Sequence, residues 1–408
     1  MSGFGQVVIG QGMALETPDV VQQCLASAEL SREAGKLAWA LAFCGGRHDP
    51  DVFCAGLRSG LGSIPVLGGA AVGTITASSL GYSGYEAAVA LFPEELPLLA
   101  IHDQELEGVD EFAAGRKLGE TLSVYPDGSV ILLFYDSVKS ANPVQLHIGS
   151  RLLDGIYDSL GDKPLHIVGG GTLADFNFSG AYVFDGRNAQ THCVVAAVLP
   201  TAIAAHTRIF HGCVPASSFM TITRIEGAVV YELDGRPALD VLKSILGEDF
   251  FSERGGQLTL TATLGAKQGN LFAPYDESAY VNRLILSHNP ADGSITLFEP
   301  DFTVGSRIQV MSRNNSLMLD SIRAAGEVVR NECADKSLLL GLYVNCAGRS
   351  SMVSGADTEE AGVLFDDLKA TMPLLGFYSG VEFAPVSERS RPLDWTGVLT
   401  VLYRKDVA

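Results

Sequence analysis

The sequence predicts an α/β protein of two domains, with mixed β-sheets flanked by helices. Three observations predict it. First, one unit is written three times: a strand, a small-residue loop, a helix, an apolar run, a glycine turn and one or two further strands. The copies begin at apolar strands 37–44, 129–135 and 337–344. Their pivots are Pro65-Val66-Leu67-Gly68-Gly69, Pro164-Leu165-His166-Ile167-Val168-Gly169-Gly170-Gly171 and Pro373-Leu374-Leu375-Gly376. A repeated supersecondary unit points to shared architecture, so three equivalent glycine turns read as scaffold and not as three phosphate loops. Second, strand-like and helix-like apolar periods alternate along the chain. Third, 47% hydrophobic content over 408 residues, with positive mean hydropathy, is enough to bury a large core.

The elements follow in order. Strand 6–10 leads through Gly10-Gln11-Gly12 to a helix start at Thr17-Pro18-Asp19, where threonine caps and proline takes the first helical position. Val21, Cys24, Leu25 and Ala28 give that helix an apolar stripe, and Gly35 is placed to end it. The first repeat then predicts strand 37–44, helix 51–60, and strands 64–67 and 86–92. The second predicts strand 129–135, helix 144–160, a turn at Gly169–171 and strand 190–199, with a hairpin at Asp185-Gly186-Arg187-Asn188. Residues 200–215 read as the crossing between domains 1–214 and 215–408. Beyond it, strands 219–225 and 228–233 pair around Glu226-Gly227, and Asp234-Gly235-Arg236-Pro237 turns into helix 238–246 with Asp234 as its cap. Strands near 258–264, 284–287, 295–298 and 307–311 precede a helix from 315 to 333 carrying Met318, Ile322, Ala325 and Val329 on one face. The third repeat closes the chain with helix 358–371.

Composition excludes several classes of partner. A formal charge of −19 repels phosphate backbones and anionic lipid, which argues against nucleic acid and membrane surfaces. No run approaches the roughly 20 apolar residues needed to span a bilayer, and the N-terminus lacks the basic and apolar regions of a signal peptide. The expected location is the cytoplasm. Seven scattered cysteines without a Cys-x-x-Cys pair read as reduced core residues, not as disulfides or a zinc site.

The polar residues concentrate in the third repeat. Its first strand ends in Asn345-Cys346-Ala347-Gly348-Arg349-Ser350-Ser351, and the neighbouring turn reads Gly376-Phe377-Tyr378-Ser379-Gly380-Val381-Glu382. Ligands of α/β sheets sit outside strand ends. Asn345, Cys346, Arg349, Tyr378, Ser379, Gly380 and Glu382 are therefore the candidate ligand contacts. Arg349 would fork onto a carboxylate and Glu382 would accept from an ammonium, the pattern for a small zwitterion. The other reading pairs Arg349 with Glu382 directly. Cys346 has no base beside it in sequence, so the chain does not read as an enzyme. Gly-x-Ser-x-Gly, Gly-Lys-Ser/Thr and complete G-x-G-x-x-G signatures are absent. His211, with Cys213 close by at the domain crossing, is the candidate haem ligand; its other reading is a hydrogen-bonded interface histidine.

At these residues the chain resembles the FIST family, a bacterial sensory module with N-terminal and C-terminal parts. The matching stretches are Tyr231-Glu232-Leu233-Asp234-Gly235-Arg236-Pro237-Ala238-Leu239, Asn345-Cys346-Ala347-Gly348-Arg349 and Gly376-Phe377-Tyr378-Ser379-Gly380-Val381-Glu382. His211-Gly212-Cys213-Val214-Pro215 before Thr221-Ile222-Thr223 resembles the family's junction. The likeness spans residues 35–404, and order and spacing carry it more than any one motif. It implies a sensor that binds a small ligand, an amino acid or similar metabolite. The alternative it implies is a haem-binding nitric-oxide sensor regulating a histidine kinase. No segment is left over for an output module, so the signal is expected to pass to a partner protein. A cysteine-dependent enzyme using Cys346, or Glu382 as a cleft carboxylate, is the rival class, and a scaffold for a protein partner is the third.

Overall fold

The computed structural model describes residues 6–29, 36–247 and 261–405. One element order occurs three times. The first unit is β1 (Val8–Met13), α1 (Thr17–Glu29), β2 (Leu37–Gly45), α2 (Pro50–Gly60), β3 (Val66–Ala71), a hairpin of β4 (Thr74–Thr76) and β5 (Leu80–Gly81), and β6 (Glu86–Pro93). The second is β7 (Ala100–Glu105), α3 (Glu111–Leu122), β8 (Val130–Asp136), a ribbon of β9 (Val138–Ala141) and β10 (Val144–Leu146), and α4 (Gly149–Leu160). It continues with β11 (His166–Thr172), a hairpin of β12 (Val183–Gly186) and β13 (Ala189–Gln190), and β14 (Cys193–Val198).

The third unit opens with β15 (Ile203–Phe210) and is then interrupted. Strand β16 (Cys213–Pro215) leads into β17 (Met220–Glu226), β18 (Val229–Leu233), β19 (Arg236–Pro237), α5 (Ala238–Leu246), β20 (Ala262–Lys267), β21 (Tyr280–Asn289), β22 (Ser294–Leu297) and β23 (Arg307–Arg313). The unit resumes with α6 (Asn315–Glu332), β24 (Ser337–Cys346), α7 (Glu360–Leu368), β25 (Leu374–Ser379), a hairpin of β26 (Val381–Val386) and β27 (Arg389–Leu393), and β28 (Gly397–Arg404).

Each unit builds one six-stranded sheet in the same order: its first, last, second and third strands, then a hairpin lent by another unit. The second unit's β12–β13 completes the first sheet, the third unit's β26–β27 completes the second, and the first unit's β4–β5 completes the third. Only β2–β3, β8–β11 and β24–β25 pair parallel within these sheets. The exchange is cyclic, so no unit completes its own sheet.

The predicted glycine turns are strand interiors. Gly68 and Gly69 lie in β3, Gly169–Gly171 in β11 and Gly376 in β25. The cause is close backbone approach. Gly169 has φ 137° and a Cβ there would sit 2.1 Å from the Leu133 carbonyl oxygen; Gly68 has φ 109° and would meet that of Ala42 at 2.1 Å. Both glycines stand opposite those residues in the parallel register. Only glycine fits such backbone.

The inner faces of the three sheets meet in one apolar centre, where Phe43, Phe134 and Phe377 bring one ring from each unit together. Each outer face is covered by a helix pair: α1 and α2, α3 and α4, α6 and α7. The inserted strands close into a barrel, because β23 pairs with β17 on one edge and β20 on the other. Ile222, Leu264, Ile295 and Val310 fill it, and Val241 and Leu242 of α5 seal it.

One buried carboxylate and one buried guanidinium from the barrel reach the three-sheet body. Glu299 accepts from Gly149 N at 3.1 Å, Ser150 N at 3.1 Å and Ser150 Oγ at 2.6 Å, so the barrel caps α4. Arg283 on β21 forks onto Asp301 with two 2.6 Å bonds and donates to the Pro392 carbonyl of β27 at 3.2 Å.

Other local readings are corrected. Predicted helix 144–160 divides into β10 and α4, and α3 was not read at all. Asp234 does not cap α5; its φ is 49° and its Oδ1 accepts from Thr221 N at 2.8 Å, bracing the β17–β18 hairpin, while Pro237 stands at the N-cap. The helix end at Gly35 and residues 258–260 of a predicted strand lie outside the described residues. Residue 214 falls in β16, where the chain enters the barrel. The seven cysteines are free and buried, and no described helix is long and apolar enough to cross a membrane.

Candidate functional site

The parallel register of β24 and β25 sets Asn345 beside Tyr378 and Cys346 beside Ser379. The two loops singled out from sequence are therefore neighbours. Strand alternation then divides their side chains between two environments. On the helix side, Tyr378 donates to Glu359 Oε1 at 2.6 Å and Tyr343 to Glu360 Oε1 at 3.4 Å. Asn345 is fully buried between them.

Arg349 does not pair with Glu382. Its Nε donates to Glu360 Oε1 at 2.7 Å and its Nη2 to Glu360 Oε2, while Nη1 donates to the carbonyls of His211 (3.1 Å) and Trp395 (3.2 Å). Burial opposes its charge, but Glu360 holds the guanidinium protonated. Both Arg349 and Glu382 are 0% exposed, so the clamp expected for a zwitterion is not assembled. The physical reason is that α7 places Glu360 against the guanidinium, and a buried arginine without a carboxylate would be costly.

Glu382 lies within 2.7 Å of Ser379 Oγ and accepts from Thr396 N at 3.3 Å. Burial, with Asp394 adding repulsion, pushes its carboxyl well above the usual range. Ser379 Oγ also bonds the Asn345 carbonyl at 3.0 Å. The Ser379 hydroxyl thus donates toward both the Glu382 carboxyl and the Asn345 carbonyl, tying the two strand ends together.

Cys346, Ser379 and Gly380 line a cavity of about 270 Å³ at the seam between strand ends and barrel. The barrel contributes Leu284, Leu286 and Phe298; the loop after β11 contributes Phe176 and Phe178; Asp394 and Trp395 follow β27. Phe178 (φ 56°) and Trp395 (φ 55°) both adopt left-handed backbone. Bulky side chains rarely do so, and such strain concentrates at ligand clamps. Asp394 is 3% exposed, accepts from Leu284 N at 3.1 Å, and stands 3.5 Å from Arg283 Nη1. Burial pushes it up to about 7 despite that arginine. Burial likewise pushes the Cys346 thiol far above its ordinary range, with Glu382 reinforcing the effect. That thiol is the opposite of an activated nucleophile.

His211 does not fit the haem alternative. Its Nε2 donates to the Glu277 carbonyl at 2.8 Å and its Nδ1 accepts from Cys213 N at 2.9 Å, which uses both ring nitrogens. The side chain is 0% exposed, and burial lowers its pKa, keeping the ring neutral. It pins the junction where β15 passes into the barrel. Among the described residues no group of three or more His, Cys, Asp or Glu side chains is disposed to hold a metal ion.

Sequence reasoning missed Asp394, Trp395, Phe178 and the barrel residues. Asp394-Trp395, directly before the last strand, is the one local signal available, since the chain has only two tryptophans.

Comparison with known proteins gives two family matches: the FIST N domain over residues 38–236 and the FIST C domain over residues 238–385. An uncharacterized protein of Mycobacterium tuberculosis (strain CDC 1551 / Oshkosh) is 28% identical over 232 residues, 55% of this chain and 58% of its own length. An uncharacterized protein of Mycobacterium bovis (strain ATCC BAA-935 / AF2122/97) is 25% identical over 235 residues, 56% of this chain and 58% of its own. The chain thus spans less than two thirds of the relatives it matches. A crystal structure of cyanuric acid hydrolase from A. caulinodans aligns over 99% of this chain and 100% of its own, at 9% identity and a TM-score of 0.34, too low to carry an argument.

Proposed function

Because the chain belongs to the FIST family, whose domains are small-ligand-binding sensory domains in signal transduction, we propose that the seam cavity is its ligand site. One observation carries this reading: two large aromatic residues held at positive φ, Phe178 and Trp395, both line that cavity. Strain of this kind persists only where surroundings impose it. The ligand is a compact molecule with a mostly apolar body. A zwitterionic amino acid is disfavoured, since none of the described lining residues is cationic and a ligand carboxylate would be left unpaired.

The position of the cavity supports a sensory role. A ligand there touches the barrel through Leu284, Leu286 and Phe298, and the body through Cys346, Ser379 and Trp395. It would favour the docked arrangement over others, and a cytoplasmic partner such as a histidine kinase would read the difference. An enzymatic role for Cys346 has less support, given its raised pKa.

Thermal unfolding against a panel of small apolar metabolites tests the reading. A ligand at a hundredfold its Kd adds about 2.7 kcal/mol of stability. Leu286→Trp and Val353→Trp, which would fill the cavity from its rim, should abolish the ligand-induced rise in Tm. A panel without any hit, or a rise that survives both variants, overturns the proposal.

A further inference from the structure

The wall of the cavity is short of one positive charge. Four buried or nearly buried carboxyls lie here: Glu299, Asp301 and Asp394 around the guanidinium of Arg283, and Glu382, which repels Asp394 and whose own nearby cation is Arg349. Three of them have what they need. Asp301 takes the forked pair of 2.6 Å bonds from Arg283. Glu299 takes the N-terminus of α4 through Gly149, Ser150 N and Ser150 Oγ. Glu382 accepts from Ser379 Oγ at 2.7 Å and from Thr396 N at 3.3 Å.

Asp394 is the one in deficit. It holds a single backbone N–H at 3.1 Å and only a 3.5 Å contact with Arg283, whose stronger bonds go elsewhere. Among the described residues it is also the only ionisable carboxyl that lines the cavity. The groups acting on it come from every packed element: Arg283 on β21, Glu299 and Asp301 after β22, Glu382 on β26 and the Cys346 thiol at the end of β24. The remaining wall is rich in aromatic rings, with Phe176, Phe178, Phe298 and Trp395. Their faces attract cations as well as apolar groups, and Arg313 already lies over the Trp395 ring at 3.2 Å.

We infer that the cavity takes a compact organic cation, an ammonium carried on an apolar body, with Asp394 as the residue that selects it. The inference rests on the cavity being the ligand site. The ammonium supplies the missing charge, and Asp394 releases its proton to solvent as the ligand enters. Amine binding therefore competes with that proton, and a neutral ligand of the same shape does not.

The test uses the full chain and three probes of one shape: 2-phenylethylamine hydrochloride, 2-phenylethanol and 3-phenylpropionate, titrated calorimetrically between pH 6 and pH 8. The amine should bind most tightly and the carboxylate least. Asp394→Asn should weaken the amine about tenfold or more and leave the alcohol nearly unchanged. Amine affinity should fall below pH 7 by up to about tenfold per unit, while alcohol affinity stays level. An alcohol that binds as well as the amine, an Asp394→Asn variant that weakens both alike, or a preferred carboxylate overturns the inference while leaving the cavity reading standing. Failure of all three probes, or amine binding that survives Leu286→Trp, removes the cavity reading and the inference with it.

Discussion

Asp394 combines a chemically ordinary side chain with an environment that reverses its habit at neutral pH. Its folded pKa of about 7 lies above the reference value of 3.8, so between those values the folded chain holds a proton that the unfolded chain has lost. Stability must therefore fall as pH rises through that interval, and level off above it. Asp394→Asn removes this dependence. The stability of the variant relative to the parent, from urea denaturation, should rise from pH 4.5 to pH 7 and then stay flat. A difference that is constant over that range would show Asp394 ionised throughout. Residue chemistry was partly legible from sequence. The two polar loops of the third repeat are adjacent, and Cys346, Ser379 and Gly380 line the cavity. Arg349 was recognisable as needing a carboxylate, but the choice between Glu382 and Glu360 was not, because α7 brings Glu360 from a separate element.

At the scale of the element, the parallel strand pairs depend on glycine. Gly169→Ala would drive a Cβ to within 2.1 Å of the Leu133 carbonyl at a φ of 137°. The expected cost is about 3 kcal/mol or more, measured as a lower urea midpoint, or failure to accumulate folded protein. Gly355→Ala is the control, since it sits in the left-handed region (φ 66°, ψ 22°) with open space around it and should cost only about 1 kcal/mol. Equal effects would mean that backbone angle alone matters. The recurrence of glycine was visible in the sequence. Its placement inside strands was not, because the atoms that exclude a side chain belong to a neighbouring strand. Sequence periodicity also missed α3, whose buried face includes Gly115, Gly119 and Glu111 among its apolar residues.

Across the whole molecule, the barrel and the three-sheet body are joined by charges that neither could bury alone. Arg283→Met leaves Asp301 and Asp394 facing each other without a cation, and removing one partner of a buried set typically costs about 3–5 kcal/mol. Hydrogen exchange should rise first at Leu284 and at the α4 amides of Gly149 and Ser150, where the barrel meets the body. Retained stability with unchanged protection there would show that apolar packing alone docks the barrel. The cyclic loan of hairpins has a related consequence. Each sheet needs a hairpin from another unit, so the three sheets should unfold in one transition, not singly.

The sequence by itself determined the α/β class, the recurrence of the unit, most strand and helix positions, and the concentration of polar residues after β24 and β25. Apolar spacing, capping residues and glycine are local signals, so they could be read locally. Only the tertiary structure decided which hairpin completes which sheet, that Arg349 belongs to Glu360, that His211 spends both ring nitrogens at the junction, and that Asp394 faces the cavity. Those outcomes depend on residues as far apart in sequence as Thr74 and Phe377 competing for the same buried space, and no local period encodes the winner.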